Sequence, residues 1–134
     1  MENIELIQLA EKALKRHVDR SGRLHGDVAA AVLSRNGKVY LGVCVDTPGW
    51  GLCAERSAIA AMITDGEYEF EKVVAVWRDN KSNKLVVLPP CGHCRQFMQN
   101  VSEGNLEAEV ILSKNKNLLL RDLIPFHEWP EYLD

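Results

Sequence analysis

"VLPPCGHCRQ", residues 87–96, is the stretch whose reading decides the fold. Pro89 and Pro90 halt any strand that reaches them, and a helix is expected from about Cys91 to Ser102. Cys91 and Cys94 stand three apart, so they share one face of a first helical turn. A Cys-Gly-His-Cys core reads as a redox dithiol or as half of a metal site. The choice turns on a second segment that also opens with cysteine. "CAERSAIAAMITDG", residues 53–66, reads as a helix stopped by Gly66. Between the two lies "KVVAVW", residues 72–77, apolar almost throughout, as in a central strand covered on both faces.

Working outward, Ile4, Ile7, Ala10, Leu14 and Val18 recur at helical spacing and predict a helix over 3–18. "SGRLHG" (21–26) reads as a loop. "DVAAAVLS" (27–34) and "KVYLGVCVD" (38–46) predict two strands joined at Arg35-Asn36-Gly37, because Asn-Gly suits a tight hairpin turn. "TPGWG" (47–51) and "RDNKSNK" (78–84) read as loops. "EAEVILS" and "LLL" predict two late strands, antiparallel because only "KNKN" separates them. A short helix "LRDLIP" is cut by Pro125, and the aromatic tail "FHEWPEYLD" follows. No repeat or linker interrupts the pattern, so residues 1–134 are expected to form one α/β domain.

With 46% hydrophobic and 26% charged residues, the composition is that of a soluble globular protein. The net charge of −3 argues against a surface that coats nucleic acid. No apolar run approaches the roughly 20 residues that span a bilayer. "MENIELIQLAEKALKR" lacks the basic start and apolar centre of a signal peptide, so a cytoplasmic setting with reduced thiols is expected. The four cysteines then read as ligands, catalytic thiols or core packing rather than as disulfides.

Each cysteine-led helix follows a strand, so both helix starts are expected at one end of the sheet. The partial positive charge of a helix N-terminus favours thiolate over thiol. Three thiolates from two helix starts, with one position open, match a catalytic zinc site. Glu55 lies two residues beyond Cys53, about 200° around a regular helix. Both face one metal only if Cys53 sits at the cap, where the backbone is not yet helical. Glu55 is then beside the metal without binding it, as a proton shuttle requires.

"CAER", followed 38 residues after Cys53 by "PCGHCRQ", closely resembles the cytidine deaminase superfamily in its three-cysteine branch. The resemblance implies that Cys53, Cys91 and Cys94 bind zinc, that Glu55 moves the protons and that Arg56 supports the cysteine ligands. A guanidinium there also has a physical reason, since it withdraws charge from an electron-rich set of thiolates. The implied fold is a three-layer α/β/α sandwich around a five-stranded mixed sheet, and the implied assembly is a homotetramer. The implied reaction is hydrolytic deamination of an aminopyrimidine nucleoside, or a nucleoside-like compound, with release of ammonia.

The resemblance also locates departures. Cys44 and Asp46 stand where family members place the Asn and Glu that hold a ribose. Leu24 to Asp27 occupy the place of a pyrimidine-stacking Phe. The short loop before Cys53 and the tail with Trp129 look more like blasticidin S deaminases. Cys44, Asp46, Ala54 and Trp129 are the expected substrate-binding residues, and plain cytidine is expected to be a poor substrate. A dithiol oxidoreductase is the alternative of another class. Pro90 stands where the disulfide isomerases carry Trp, and that reading gives Cys53 and Glu55 no role. A zinc-binding protein without a substrate pocket is a third reading. His93 is expected at the rim, Trp50 reads equally as pocket wall or exposed loop residue, and His17, His25 and His127 receive no role.

Overall fold

The computed structural model describes residues 1–126 and 133. A first helix, α1 (Asn3–Ala13), leads into a small hairpin, β1 (His17–Val18) and β2 (Leu24–His25). The main sheet begins with β3 (Val28–Ser34) and β4 (Val39–Val43). Next come α2 (Ala54–Thr64), β5 (Phe70–Arg78), β6 (Leu85–Leu88) and α3 (Gly92–Val101). After a 3-10 turn at Glu103–Glu107, β7 (Glu109–Ser113) and β8 (Lys116–Leu119) complete the sheet. A second 3-10 turn spans Leu120–Leu123, where the short helix was expected.

The sheet runs in the order β4-β3-β5-β7-β8, which is the expected five-stranded mixed path, and β6 adds a sixth strand on β5. β5 and β7 are parallel, and the pairs β3–β4, β3–β5, β5–β6 and β7–β8 are antiparallel. β6 and β7 divide one edge of β5: β7 pairs at Lys72 and Val73, β6 from Ala75 to Arg78. β6 ends opposite Ala75, where Pro89 and Pro90 lift the chain off the sheet into α3. The start of α3 therefore sits over a notch in the middle of the sheet.

The apolar strands bury both faces. Ala29, Ala31, Leu33, Val74 and Val76 pack with Leu6, Ile7 and Ala10 of α1. The alternating residues Ala30, Val32, Val73 and Ala75 pack with Ala58, Ile59 and Met62 of α2 and Met98 of α3. The three layers are thus α1, the sheet, and α2 with α3. The small side chains of β3 and β4 let the helices lie close. A Cβ at Gly42 would come 2.3 Å from the backbone nitrogen of Ala58, so α2 rests directly on β4.

The helix expected over 3–18 stops at Ala13. Leu14 turns out of helical geometry, and the backbone N–H of Lys15 donates to Gly26 O at 3.0 Å. Leu14 still packs on the core, but Val18, the next apolar position of the period, is 64% exposed. The segment read as a loop over 21–26 contains β2, which pairs antiparallel with β1. Asp19 closes this hairpin by accepting the backbone N–H groups of Ser21 and Arg23.

Candidate metal centre and substrate cleft

Cys53 and Cys91 both occupy N-cap positions, with extended backbones (φ −68°, ψ 152° and φ −69°, ψ 167°). An N-cap side chain points back over the first turn, toward the free N–H groups. Cys91 caps α3 in this way, its sulfur accepting from the backbone N–H of Cys94 at 3.4 Å. Cys94, one turn along, is fully buried. The three sulfurs lie within 4.8 Å of one another, with Cys53 to Cys91 at 4.0 Å and Cys91 to Cys94 at 3.5 Å. Sulfurs bound to one tetrahedral zinc at about 2.3 Å stand roughly 3.8 Å apart, so the donor set fits that ion in kind and in spacing.

Cys91 and Cys94 are pushed in opposite directions. Burial pushes Cys94 well above the ordinary thiol range, and the charge of Glu55 adds to it. Burial also acts to raise Cys91, but hydrogen bonds from the backbone and thiol of Cys94, and from Cys53, outweigh it and hold Cys91 low. A protein alone does not keep three crowded sulfurs ionised together, whereas a divalent cation does. Burial works against the charge on Arg56, and its contacts with Cys53 and Cys94 overcome that and raise it. Its Nη2 donates to the Cys53 sulfur at 3.6 Å, and its buried Nε has no partner among the described residues. Arg95 steadies the other ligand segment by donating to Pro90 O at 2.8 Å and Leu123 O at 3.1 Å.

Glu55 is the second residue of α2 and is 6% exposed. The cap position of Cys53 brings both residues to one cavity, as the sequence requires. This inner cavity, 190 Å³, is lined by Cys53, Ala54, Glu55 and Cys91, with Cys44 and Pro89 among its other walls. Burial raises the Glu55 carboxyl above the ordinary carboxylate range.

An outer cleft of 380 Å³ adjoins the inner cavity, and Cys44 and Cys53 line both. Asp27, Asp46, Thr47 and Trp50 also line the outer cleft. Cys44 donates its thiol to Asp27 Oδ1 at 3.1 Å, and burial together with that carboxylate raises it. Cys44 is thus a wall residue and not a member of the sulfur cluster. Trp50 is 84% exposed and meets the His93 ring edge-on, with centroids 5.3 Å apart. His93 is exposed. Trp129 lies outside the described residues.

Sequence reading missed Asp27. The backbone places it: the Cys44 N–H donates to Val28 O and Cys44 O accepts from the Gly26 N–H, so both neighbours of Asp27 are bonded to Cys44, an irregularity that no sequence pattern signals.

The sequence matches the family described as "Cytidine and deoxycytidylate deaminase zinc-binding region" over residues 1–107. The chain belongs to this family. It is 39% identical over 85 residues to a probable cytidine deaminase of Dictyostelium discoideum, a match covering 62% of the chain and 54% of that protein. It is 26% identical over 133 residues to the blasticidin-S deaminase of Bacillus cereus, covering 92% of the chain and 90% of that protein. The solved cytidine deaminase of Mycobacterium tuberculosis superposes with a TM-score of 0.73 at 27% identity, over 94% of this chain and 96% of that one. The chain spans about half the length, or less, of the cytidine deaminases first matched by sequence. Among the described residues, no helix is long and apolar enough to cross a membrane.

Proposed function

We propose that this protein is a zinc-dependent hydrolytic deaminase that converts an aminopyrimidine nucleoside, or a nucleoside-like compound, to its oxo product with release of ammonia. The observation that carries the reading is Glu55, a buried carboxylate sharing one small cavity with Cys53 and Cys91, two of three sulfurs spaced for a single metal. Cys53, Cys91 and Cys94 would hold the ion. Bound there, zinc supplies Lewis acidity and brings the pKa of water toward neutrality.

The chain's own residues do the rest. A Glu55 carboxylate oxygen accepts the proton that water loses on attack and delivers it to the ring nitrogen. The carboxylate then takes the remaining proton from the hydroxyl added to the ring carbon and passes it to the amino group; the C=O bond forms, the C–N bond breaks and ammonia leaves. Desolvation suits Glu55 to carrying a proton and giving it up within one turnover. Arg56 draws negative charge from the sulfurs, and Ala54 leaves space for a flat ring. Cys44 and Asp46 meet the remainder of the substrate in the outer cleft, and Trp129 is retained on the resemblance alone. Assembly into a homo-oligomer and a cytoplasmic location belong to the same proposal.

A blasticidin S-type deaminase is the alternative reading, supported by the near full-length match to the Bacillus cereus enzyme and by the short loop before Cys53. A dithiol oxidoreductase is disfavoured because a third sulfur stands 4.0 Å from the Cys91 thiol. Ammonia release over cytidine, deoxycytidine, cytosine, adenosine, guanine and blasticidin S, together with metal analysis, tests the proposal. Protein that purifies metal-free with a Cys91–Cys94 disulfide under reducing conditions would sink it.

A further inference from the structure

The hairpin β1–β2 lies outside the main sheet and carries His25, whose side chain is 14% exposed. Both ring nitrogens are engaged. Nε2 stands 2.7 Å from Asp19 Oδ2, and Nδ1 stands 2.9 Å from the backbone nitrogen of Asp46. An amide N–H only donates, so Nδ1 presents its lone pair and the ring proton sits on Nε2, donated to Asp19. Asp19 is itself fixed. The His25 bond, with the N–H groups of Arg23 and Ser21, lowers its carboxyl to about 2.

The hairpin is also tied to the core. Gly26 N donates to Cys44 O at 3.2 Å, and Lys15 N donates to Gly26 O. Gly26 has φ +75°, and a Cβ there would lie 2.0 Å from Lys15 O, so the junction admits only glycine. On the far side of this joint, Asp46 forms part of the outer cleft wall.

We propose that His25, clamped by Asp19, is a positioning residue for the outer cleft: its Nδ1 lone pair holds the Asp46 backbone, and with it the wall that meets the part of the substrate remote from the reacting ring. The inference rests on the deaminase reading in placing substrate in that cleft. The arrangement works in one protonation state. A second proton on the imidazole turns Nδ1 into a donor facing the Asp46 N–H donor. The groups that face the ring are the Asp19 carboxylate within the hairpin, the His17 ring on β1 with centroids 5.6 Å apart, and Asp46 from the segment after β4. Asp19 keeps its bond in either state, so protonation releases the wall and leaves the hairpin closed.

The test uses the metal-loaded protein as wild type, His25→Asn and His25→Leu. Asparagine keeps an acceptor near the Nδ1 position but does not titrate, whereas leucine removes the acceptor. His25→Leu is expected to raise KM about five- to tenfold, as the loss of one hydrogen bond implies, with kcat within about twofold. His25→Asn is expected to stay near wild type. Wild-type KM is expected to climb once a second proton is added to the imidazole at lower pH, and the climb should vanish in His25→Asn. The Asp46 amide resonance in a ¹⁵N–¹H spectrum gives a readout independent of turnover. It should follow the titration of His25 in wild type only. An Asp46 amide indifferent to that titration, or equal impairment of both variants, overturns the proposal. Absence of turnover on every amine tried counts against the deaminase reading instead, and the amide titration still decides the role of His25.

Discussion

The inner cavity and the outer cleft share Cys44 and Cys53, yet they are built in opposite ways. Helix starts laid against the ends of sheet strands form the inner one. Cys53 and Cys91 cap α2 and α3, whose buried faces lock into the sheet through Ala58, Ile59 and Met98. Loop and hairpin form the outer one, with Asp46, Thr47 and Trp50 on the segment after β4 and Asp27 on the approach to β3. Groups that must stand within fractions of an ångström of a reacting atom sit on rigid elements. Groups that distinguish one substrate from another sit on segments that change without disturbing the core. The chemistry and the specificity proposed for this protein are therefore expected to be separable by mutation.

The largest effect should come from the inner cavity. Cys94 is fully buried, so Cys94→Ser should abolish metal binding and turnover together and lower the melting temperature, as metal analysis and thermal unfolding would show. Glu55→Gln should keep the metal and the fold while cutting kcat at least about 10⁴-fold, the upper end for acid–base groups, because one carboxylate serves several transfers. Near-normal turnover in that variant would remove Glu55 from the chemistry.

Changes to the outer cleft should be smaller and of another kind. Asp46→Ala should raise KM about tenfold with metal content intact and kcat nearly unchanged, the loss of about one charged hydrogen bond. A fall in kcat instead of a rise in KM would show that the two compartments are not separable. Trp50 is mostly exposed, so Trp50→Ala should leave the melting temperature unchanged and shift KM by only about two- to fivefold. The smallest effect concerns acid stability. Asp19 is held at about 2 against an ordinary 3.8, so its contribution is present above 3.8 and is lost as pH falls through about 2. Asp19→Asn should flatten acid unfolding across that window, modestly because the group is exposed.

The parts legible in the sequence were those governed by local rules. The Asn-Gly turn set the β3–β4 hairpin, and Gly66, with φ +90°, follows α2 closely. The cap requirement on Cys53 followed from the geometry of one helical turn. The misreadings arose where a distant partner overrules the local pattern. Leu14 and Val18 continue the helical period, but the Lys15–Gly26 bond draws the chain into the β1–β2 hairpin. β6 is a four-residue strand whose identity depends on the free half-edge of β5. Asp27 and His25 gain their places through Cys44 and Asp46, about twenty residues away, and no periodicity reports such a contact.

The Val45–Leu52 bridge closes the base of the segment that carries Asp46, Thr47 and Trp50 with two hydrogen bonds, one residue before Cys53. A longer or shorter insert is expected to be held at that clasp, ahead of the sulfur beyond it. Ring-closure entropy grows only slowly with loop length, so residues 46–51 behave as an exchangeable cartridge. A designer seeking a new substrate can graft sequences between Val45 and Leu52 and select for function, while metal retention serves as an internal control that the scaffold survived the graft.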